Sequence, residues 1–405
     1  MTSSRPAPPS SARAPRSRRG GKPRSSRRLG FDVLAGLVLG VIVSAWAVSI
    51  VAAYRERLDP PAARPAAGGQ RAAAARSAVA APPPAPVLAR SVAHTLGASL
   101  TDPRAASTAY LDDAALNGMI AELRGQSGKL KAVIRAPNAD LAEEANTNVS
   151  ATYQGEHGQE VTSAKLAAPA DPGIYKLAVQ LGKISQPISD LRVITMVPFA
   201  QKKDDRIGLY YLGSWPYEGG GKPRAAAYAN PTGFIEVTRE NRGTDVSEHF
   251  KLGDFLTKDQ LDVWPKYLLL QPKLVDKLEL TIQELRKEGY RVDHVFVMSG
   301  FRTPRYNKAG GNTAGRVSLS RHMYGDASDV YVDNDRDGQP DDLNGDGRVD
   351  LEDSKIFADA AEKVEQRYPA LVGGIGIYKA CCGHGPFTHI DTRGYRARWY
   401  GEGAG

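Results

Sequence analysis

The sequence predicts an α+β domain at the C-terminus, preceded by a small all-β, sandwich-like domain and a single N-terminal transmembrane helix. Three observations lead to this prediction. Residues 33–54 contain no charge, residues 126–200 contain short alternating runs separated by Pro, Gly and Asn, and residues 246–400 mix helical and alternating patterns. Because helices and strands have different side-chain periods, each pattern predicts its own element.

The N-terminal 32 residues are predicted to form a basic cytoplasmic tail. The first 28 residues contain nine Lys or Arg and no Asp or Glu, so this segment accounts for the whole net charge of +8. The remainder is close to neutral. A folded part without excess positive charge gives no electrostatic reason to expect a nucleic-acid partner.

Residues 33–54 are predicted to be a transmembrane anchor. At ~1.5 Å per residue, a helix of this length spans the ~30 Å hydrocarbon core of a bilayer. Positive charges before the segment favour an N-terminus in the cytoplasm, which places the C-terminal domains of a single-pass protein outside the cytoplasm. A cleaved signal peptide is the alternative, because the segment Ala45, Trp46, Ala47 has the small-x-small form of a cleavage site.

The segments between the anchor and the C-terminal domain differ in composition. Residues 55–90 are rich in Ala and Pro, so they are predicted to be a linker without a core. A helical segment is predicted at 91–125, and the sandwich-like domain at 126–200 is interpreted as an immunoglobulin-like spacer or binding module. The Gly/Pro/Tyr-rich connector at 201–245 has aromatic residues that suit either a packed loop or a glycan-binding groove.

The C-terminal domain is predicted at 246–400. A helix is predicted over 271–289, where an apolar stripe lies between a proline and a glycine. Residues 292–298 alternate as a strand, and 354–367 carry a second amphipathic helical pattern. Helices and strands around a small mixed sheet form the α+β part of the prediction.

Three residues of this domain have side chains of the types that zinc takes as ligands. They are His322, Asp329 and His389. Two imidazoles and one carboxylate leave a fourth zinc position open for water, which is typical of a catalytic site. Because His322 and Asp329 are an odd number of residues apart, one unbent strand would place them on opposite faces. His322 is therefore expected in a loop that enters the strand carrying Asp329.

The pattern S-x-H-x-x-G-x-A-x-D is complete in this sequence, at Ser320, His322, Gly325, Ala327 and Asp329. It resembles the motif of the zinc D-Ala-D-Ala carboxypeptidase and murein endopeptidase family, which includes the vancomycin-resistance dipeptidases. Two flanking segments, SGFRTPRYN from residue 299 and THIDTRG from residue 388, resemble further motifs of the endopeptidase branch. The resemblance covers residues 246–400.

This resemblance implies a zinc metallopeptidase that hydrolyses peptide bonds next to D-amino acids in peptidoglycan stem peptides or cross-links. It implies that Arg302 steers the substrate and that His389 is the third zinc ligand. The general base is left open, because Pro386 occupies the position at which the carboxypeptidase and dipeptidase branches have an acid. Asp391 and His384 are the candidates for this role, and Asp391 has two further interpretations, as a residue that orients a ligand or as the third ligand itself.

The partners expected are bacterial peptidoglycan and the inner membrane, with the folded domains on the periplasmic or cell-wall side. The sequence identifies no partner for the sandwich-like domain. The alternative function is a catalytically inactive peptidoglycan-binding protein on the same fold, which the proline at the base position favours.

An acidic insert at 333–353 has the pattern of two overlapping calcium loops, with oxygen-bearing residues at alternating positions around a glycine. The predicted ligands are Asp333, Asp335, Asp337, Asp341, Asp342, Asn344, Asp346, Arg348 through its backbone carbonyl, Asp350 and Asp353. Calcium would have a structural role there. A solvated acidic loop is the alternative interpretation.

Overall fold

A computed structural model describes residues 103–142, 149–309, 318–381 and 383–401. The predicted basic tail, the transmembrane anchor, the Ala/Pro-rich linker and the start of the predicted helical segment lie outside these residues. Of the helices that are described, none has both the length and the apolar character needed to cross a membrane.

The first part of the described chain consists of one helix and one five-stranded sheet. In chain order these are α1 (Pro103–Leu123), β1 (Ala132–Arg135), β2 (Val149–Gly155), β3 (Glu160–Ser163), β4 (Gly173–Leu181) and β5 (Ile184–Thr195). The strand order is β1-β5-β4-β2-β3. The pairing of β1 with β5 is parallel, and the other pairings are antiparallel.

Each face of this sheet is covered by a different part of the chain. Leu116 and Leu123 of α1 share a buried cluster with Val193 of β5. The next residue on that strand, Ile194, points the other way and belongs with Ile134 to the larger hydrophobic core formed with the C-terminal part. The sheet therefore lies between a helix and this larger core.

The predicted fold class is wrong. The described chain is mixed α/β, with several sheets and few helices, and the region expected to be an all-β sandwich is a single mixed sheet with a helix on one face. An alternating apolar and polar pattern along a strand shows that one face of the strand is buried. The pattern is the same whether a helix or a second sheet covers that face. The transmembrane helix of the same prediction falls at 33–54, outside the described residues.

The middle of the chain contributes short strands to the larger core. They are β6 (Val197–Pro198), β7 (Arg206–Ile207), β8 (Tyr210–Tyr211), β9 (Gly233–Val237) and β10 (Lys266–Leu268). Strands β10, β9 and β6 form a three-stranded sheet, and β7 pairs with β8. Trp215, Tyr228 and Phe234, all from the segment predicted as a connector, are buried in this core. Their aromatic rings anchor the segment to the C-terminal part.

The C-terminal part is built around a second five-stranded sheet. Its elements are α2 (Pro272–Lys287), β11 (Val295–Ser299), α3 (Pro304–Ala309), β12 (Ala327–Val332), α4 (Leu351–Arg367), β13 (Gly374–Tyr378), β14 (Phe387–Asp391) and β15 (Ala397–Gly401). The strand order is β11-β12-β14-β13-β15. Helices α2 and α4 pack against each other, and α4 packs on β13 and β14. The helices predicted over 271–289 and 354–367 correspond to α2 and α4.

The two faces of strand β14 have different surroundings. The hydroxyl of Thr388 donates a hydrogen bond to the carbonyl of Ser354 in α4, and Ile390 is buried in the main core. Because successive residues of a strand point to opposite faces, His389 lies on the face away from α4. That face of the sheet forms the floor of a cleft.

Candidate metal centre and cleft

Two imidazole nitrogens and one carboxylate oxygen converge on this face of the sheet. Nε2 of His322 lies 3.2 Å from Nδ1 of His389 and 3.3 Å from Oδ1 of Asp329. Nδ1 of His389 lies 2.8 Å from that same oxygen. Ligands about 2.0–2.2 Å from a tetrahedral zinc ion are about 3.3 Å from one another. All three side chains are buried, and their ligand atoms are close enough to share one metal ion.

Strand register and one turn position these three residues. Asp329 on β12 is the register partner of His389 on β14. His322 lies in a 3₁₀ turn, Arg321–Tyr324, immediately before β12. The turn ends at Gly325 with φ +68°, and a Cβ atom there would lie 2.5 Å from the carbonyl of Leu269. Glycine is thus required both for the backbone conformation and for the close approach.

The ring of His322 is oriented to present Nε2. Its Nδ1–H donates to the carbonyl of Gly300 at 2.7 Å, which leaves the Nε2 lone pair facing Asp329 and His389. Burial, together with the nearby positive charge of Arg302, lowers the pKa of His322 to about 4. The imidazole is therefore neutral at physiological pH, which is the form that binds a metal.

The ring of His389 lies between two carboxylates. Its Nε2–H donates to Oδ2 of Asp391 at 3.1 Å, and its Nδ1 faces Asp329. Burial opposes protonation, but the hydrogen bonds to Asp329 and Asp391 outweigh burial and raise the pKa of His389. A metal ion bound at Nδ1 takes the place of the proton on that nitrogen.

Arg302 lies directly beside the three candidate ligands. Its Nη2 donates to Oδ2 of Asp329 at 2.5 Å, and its Nε donates to Oγ of Ser299 at 2.8 Å. Burial alone would raise the pKa of Asp329, but His322 and Arg302 hold it well below the ordinary value. The guanidinium is partly exposed to the cleft, so it can also contact a substrate.

The two candidates for the general base lie in different environments. Asp391 is fully buried and accepts hydrogen bonds from Arg393 Nε at 2.9 Å and from the amide of Gly374 at 2.7 Å, besides its contact with His389. Its lone pairs are already used, and it orients His389. His384 lines the cleft, and its Nδ1–H donates to the carbonyl of Gly385 at 2.9 Å, which leaves Nε2 as an acceptor.

The candidate ligands lie in a cleft of about 850 Å³. Trp399 on β15 forms part of its lining, with its ring 5.2 Å from that of His389. The ring lies over Gly376, where a Cβ atom would be 2.3 Å away. Arg224 and Tyr228, which come from the predicted connector, also line the cleft. Sequence reasoning missed Arg224 and Trp399, because they lie outside the motifs and reach the site only through the fold.

The acidic insert places some of its predicted calcium ligands together. Carboxylate oxygens of Asp333, Asp335 and Asp341 are close enough to hold one cation, and Asp337 is not part of this group. Within the described ranges, no such group of three His, Cys, Asp or Glu forms in the second predicted loop. There the side chains of Asp342, Asn344, Asp346 and Asp353 accept hydrogen bonds from backbone amides, including that of Arg348, and Asp350 caps the N-terminus of α4.

Comparison of this chain with protein-family models, with curated proteins and with solved structures finds no match. The family resemblance therefore stays a prediction based on the motifs. The geometry of the side chains is an independent basis for a functional proposal.

Proposed function

We propose that this protein is a zinc-dependent peptidase that hydrolyses bonds next to D-amino acids in the stem peptides or cross-links of bacterial peptidoglycan. The observation that carries the proposal is the convergence of His322 Nε2, Asp329 Oδ1 and His389 Nδ1 in the floor of a cleft, beside Arg302. The geometry supports it because the ligand atoms of two buried imidazoles and one buried carboxylate lie close enough together to share one cation.

Zinc is the metal that this donor set fits best. Three protein ligands of the nitrogen and oxygen types, with atoms 2.8–3.3 Å apart, match three corners of a small tetrahedral site. A zinc ion bound by these residues would supply Lewis acidity and a water nucleophile near neutral pH.

The residues around the donors have separate tasks in the proposed reaction. Arg302 offers guanidinium donors to the carbonyl oxygen of the scissile bond and stabilises the negative charge that develops on it. His384, with Nε2 free to accept, takes a proton from the attacking water and returns it to the leaving amine. Asp391 fixes the ring of His389 and does not exchange protons with the substrate.

The substrate class rests on the sequence. The motifs around Ser320 and Thr388 resemble those of peptidases that act next to D-amino acids, and the uncharged segment at 33–54 suits a membrane anchor. An anchored enzyme whose folded part lies outside the cytoplasm has peptidoglycan within reach of its cleft.

Peptide release from purified sacculi tests the proposal. Wild-type protein loaded with zinc is expected to release peptides, chelation is expected to stop the release, and added zinc is expected to restore it. His322→Ala should abolish both stoichiometric zinc binding and release, whereas His157→Ala, which removes an exposed histidine far from the motifs, should change neither.

One specific observation favours a second candidate, a catalytically inactive peptidoglycan-binding protein. Pro386 stands where related branches have an acid, and the nearby Asp391 is already occupied by Arg393 and His389. Zinc content separates the two candidates. If the purified protein binds sacculi but carries no zinc and releases no peptide, the peptidase proposal fails.

A further inference from the structure

One wall of the cleft comes from outside the region that carries the peptidase motifs. This wall, residues 224–228, contacts the turn that holds His322. Arg321 donates from Nη1 to the carbonyl of Ala227 at 2.7 Å. The rings of Tyr228 and Tyr324 meet edge to face with centroids 5.5 Å apart. The wall is therefore fixed relative to the metal centre.

Arg224 is the exposed cation of this wall. Its guanidinium lies over the ring of Tyr228, 4.3 Å from the centroid, and donates to the hydroxyl of Tyr228 at 2.5 Å. The Tyr228 hydroxyl is in turn 3.5 Å from that of Tyr395. These contacts hold the planar group at the cleft while leaving most of its donors open.

The other arginines of the cleft are neutralised by carboxylates. Their ion pairs in the structure are Arg302 with Asp329, Arg321 with Asp326 and Arg393 with Asp391. Arg224 and Lys258 also line the cleft, and neither has a carboxylate within 4.0 Å in the described part of the chain. The described lining contains a single carboxylate, that of Asp329. The cleft therefore carries positive charge beyond what its own acids balance.

We propose that Arg224 binds a carboxylate of the substrate at a distance from the scissile bond, so that the cleft selects peptides with free carboxylates over their amidated forms. This inference rests on the proposed peptidase function and deepens it. A planar guanidinium gives two parallel donors that match a carboxylate, whereas a neutral amide offers one acceptor and no charge. The ring and hydroxyl of Tyr228 already orient the guanidinium of Arg224. Arg224 therefore loses less conformational entropy when it binds a carboxylate.

The test uses one labelled peptide ending in D-alanine, prepared with all carboxylates free and with all of them amidated. KM and kcat are measured on the zinc-loaded protein, and Kd is measured by fluorescence anisotropy after chelation. Arg224→Gln is expected to raise KM and Kd for the acid peptide about tenfold, which is the loss expected for a charged hydrogen bond. The change falls on KM and not on kcat, and the amidated peptide is expected to respond little.

Two variants act as controls. Lys222→Gln also removes one positive charge, but Lys222 lies two residues before Arg224 and does not line the cleft. This variant should behave as wild type. Arg224→Lys keeps the charge but loses the two parallel donors of the guanidinium. Its affinity for the acid peptide should therefore lie between those of Arg224→Gln and wild type.

The outcomes separate this inference from the peptidase proposal. Equal losses for both peptides, or no loss for either, would overturn the role of Arg224. If wild-type protein prefers the acid peptide through Arg224 but releases no product, the carboxylate site stands and the peptidase function fails. If both peptides are hydrolysed equally well, the peptidase function stands and the carboxylate site at Arg224 fails.

Discussion

Asp329 and His389 are register partners on adjacent antiparallel strands, and their side chains meet at 2.8 Å. A backbone ladder therefore fixes two of the three candidate ligands relative to each other. The third, His322, is supplied by a turn that Gly325 terminates. The candidate metal centre thus depends on a rigid pair from the sheet and on one residue whose position is set by local backbone geometry.

The first prediction concerns Asp391. Asp391→Asn should weaken zinc binding about 10- to 100-fold, because the carboxylate orients the ring of His389 and strengthens its donor nitrogen. Zinc titration against a competing chelator measures this change. Activity of Asp391→Asn at saturating zinc should stay within about tenfold of wild type. A much larger loss of kcat with unchanged zinc affinity would instead identify Asp391 as the general base.

The second prediction concerns the turn that carries His322. Gly325→Ala should destabilise the protein by more than about 1 kcal/mol and should lower zinc affinity, because a Cβ atom would lie 2.5 Å from the Leu269 carbonyl. Gly128→Ala is the matched control, with a similar positive φ of +69° and no atom within 4 Å of the added Cβ. Urea unfolding and zinc titration check both variants. Equal effects in the two variants would show that strain alone accounts for the loss.

Local sequence signals predicted the positions of helices α2 and α4. Proline and glycine bracket α2, and the apolar stripe between them faces the core. The odd spacing of His322 and Asp329 predicted that His322 lies in a loop entering the strand of Asp329, and in the structure it lies in a 3₁₀ turn immediately before β12. These features depend on residues close together in the chain.

Features that depend on distant residues were not predictable in the same way. The alternating strands of residues 126–200 contain no information on whether α1 or a second sheet would cover them. Arg224 and Trp399 reach the cleft only because the connector packs on the turn of His322 and because β15 pairs with β13. Such pairings are decided by the whole fold.

The third prediction concerns the acidic insert. Calcium is expected to raise the melting temperature and to protect residues 333–353 from proteolysis, because a cation offsets the repulsion among Asp333, Asp335 and Asp341. Asp335→Asn should reduce both effects. Asp359→Asn, which alters an exposed acid paired with Lys355, is the control and should leave them unchanged. A melting temperature that does not respond to calcium would favour the solvated acidic loop.

The last prediction concerns a buried ion pair beneath the end of β14. Nζ of Lys277 is fully buried and donates to Glu365 at 2.5 Å and to the carbonyl of Asp391 at 2.7 Å. Lys277→Met should lower the free energy of unfolding by about 1–3 kcal/mol, because it takes a donor from that buried carbonyl and from Glu365, whose carboxylate keeps its ion pair with Arg398.

Lys363→Met is the control for Lys277→Met, because Lys363 pairs with Glu288 at the surface, where an ion pair contributes about 0–1 kcal/mol. Adding Glu365→Gln to Lys277→Met should not recover the loss, since it also removes the ion pair between Glu365 and Arg398. Urea unfolding of the four proteins, wild type included, measures these differences. Zinc affinity should fall together with stability in Lys277→Met, because the carbonyl that Lys277 holds belongs to the residue that orients His389. A destabilised Lys277→Met with wild-type zinc affinity would show that the ion pair supports the fold without supporting the metal centre.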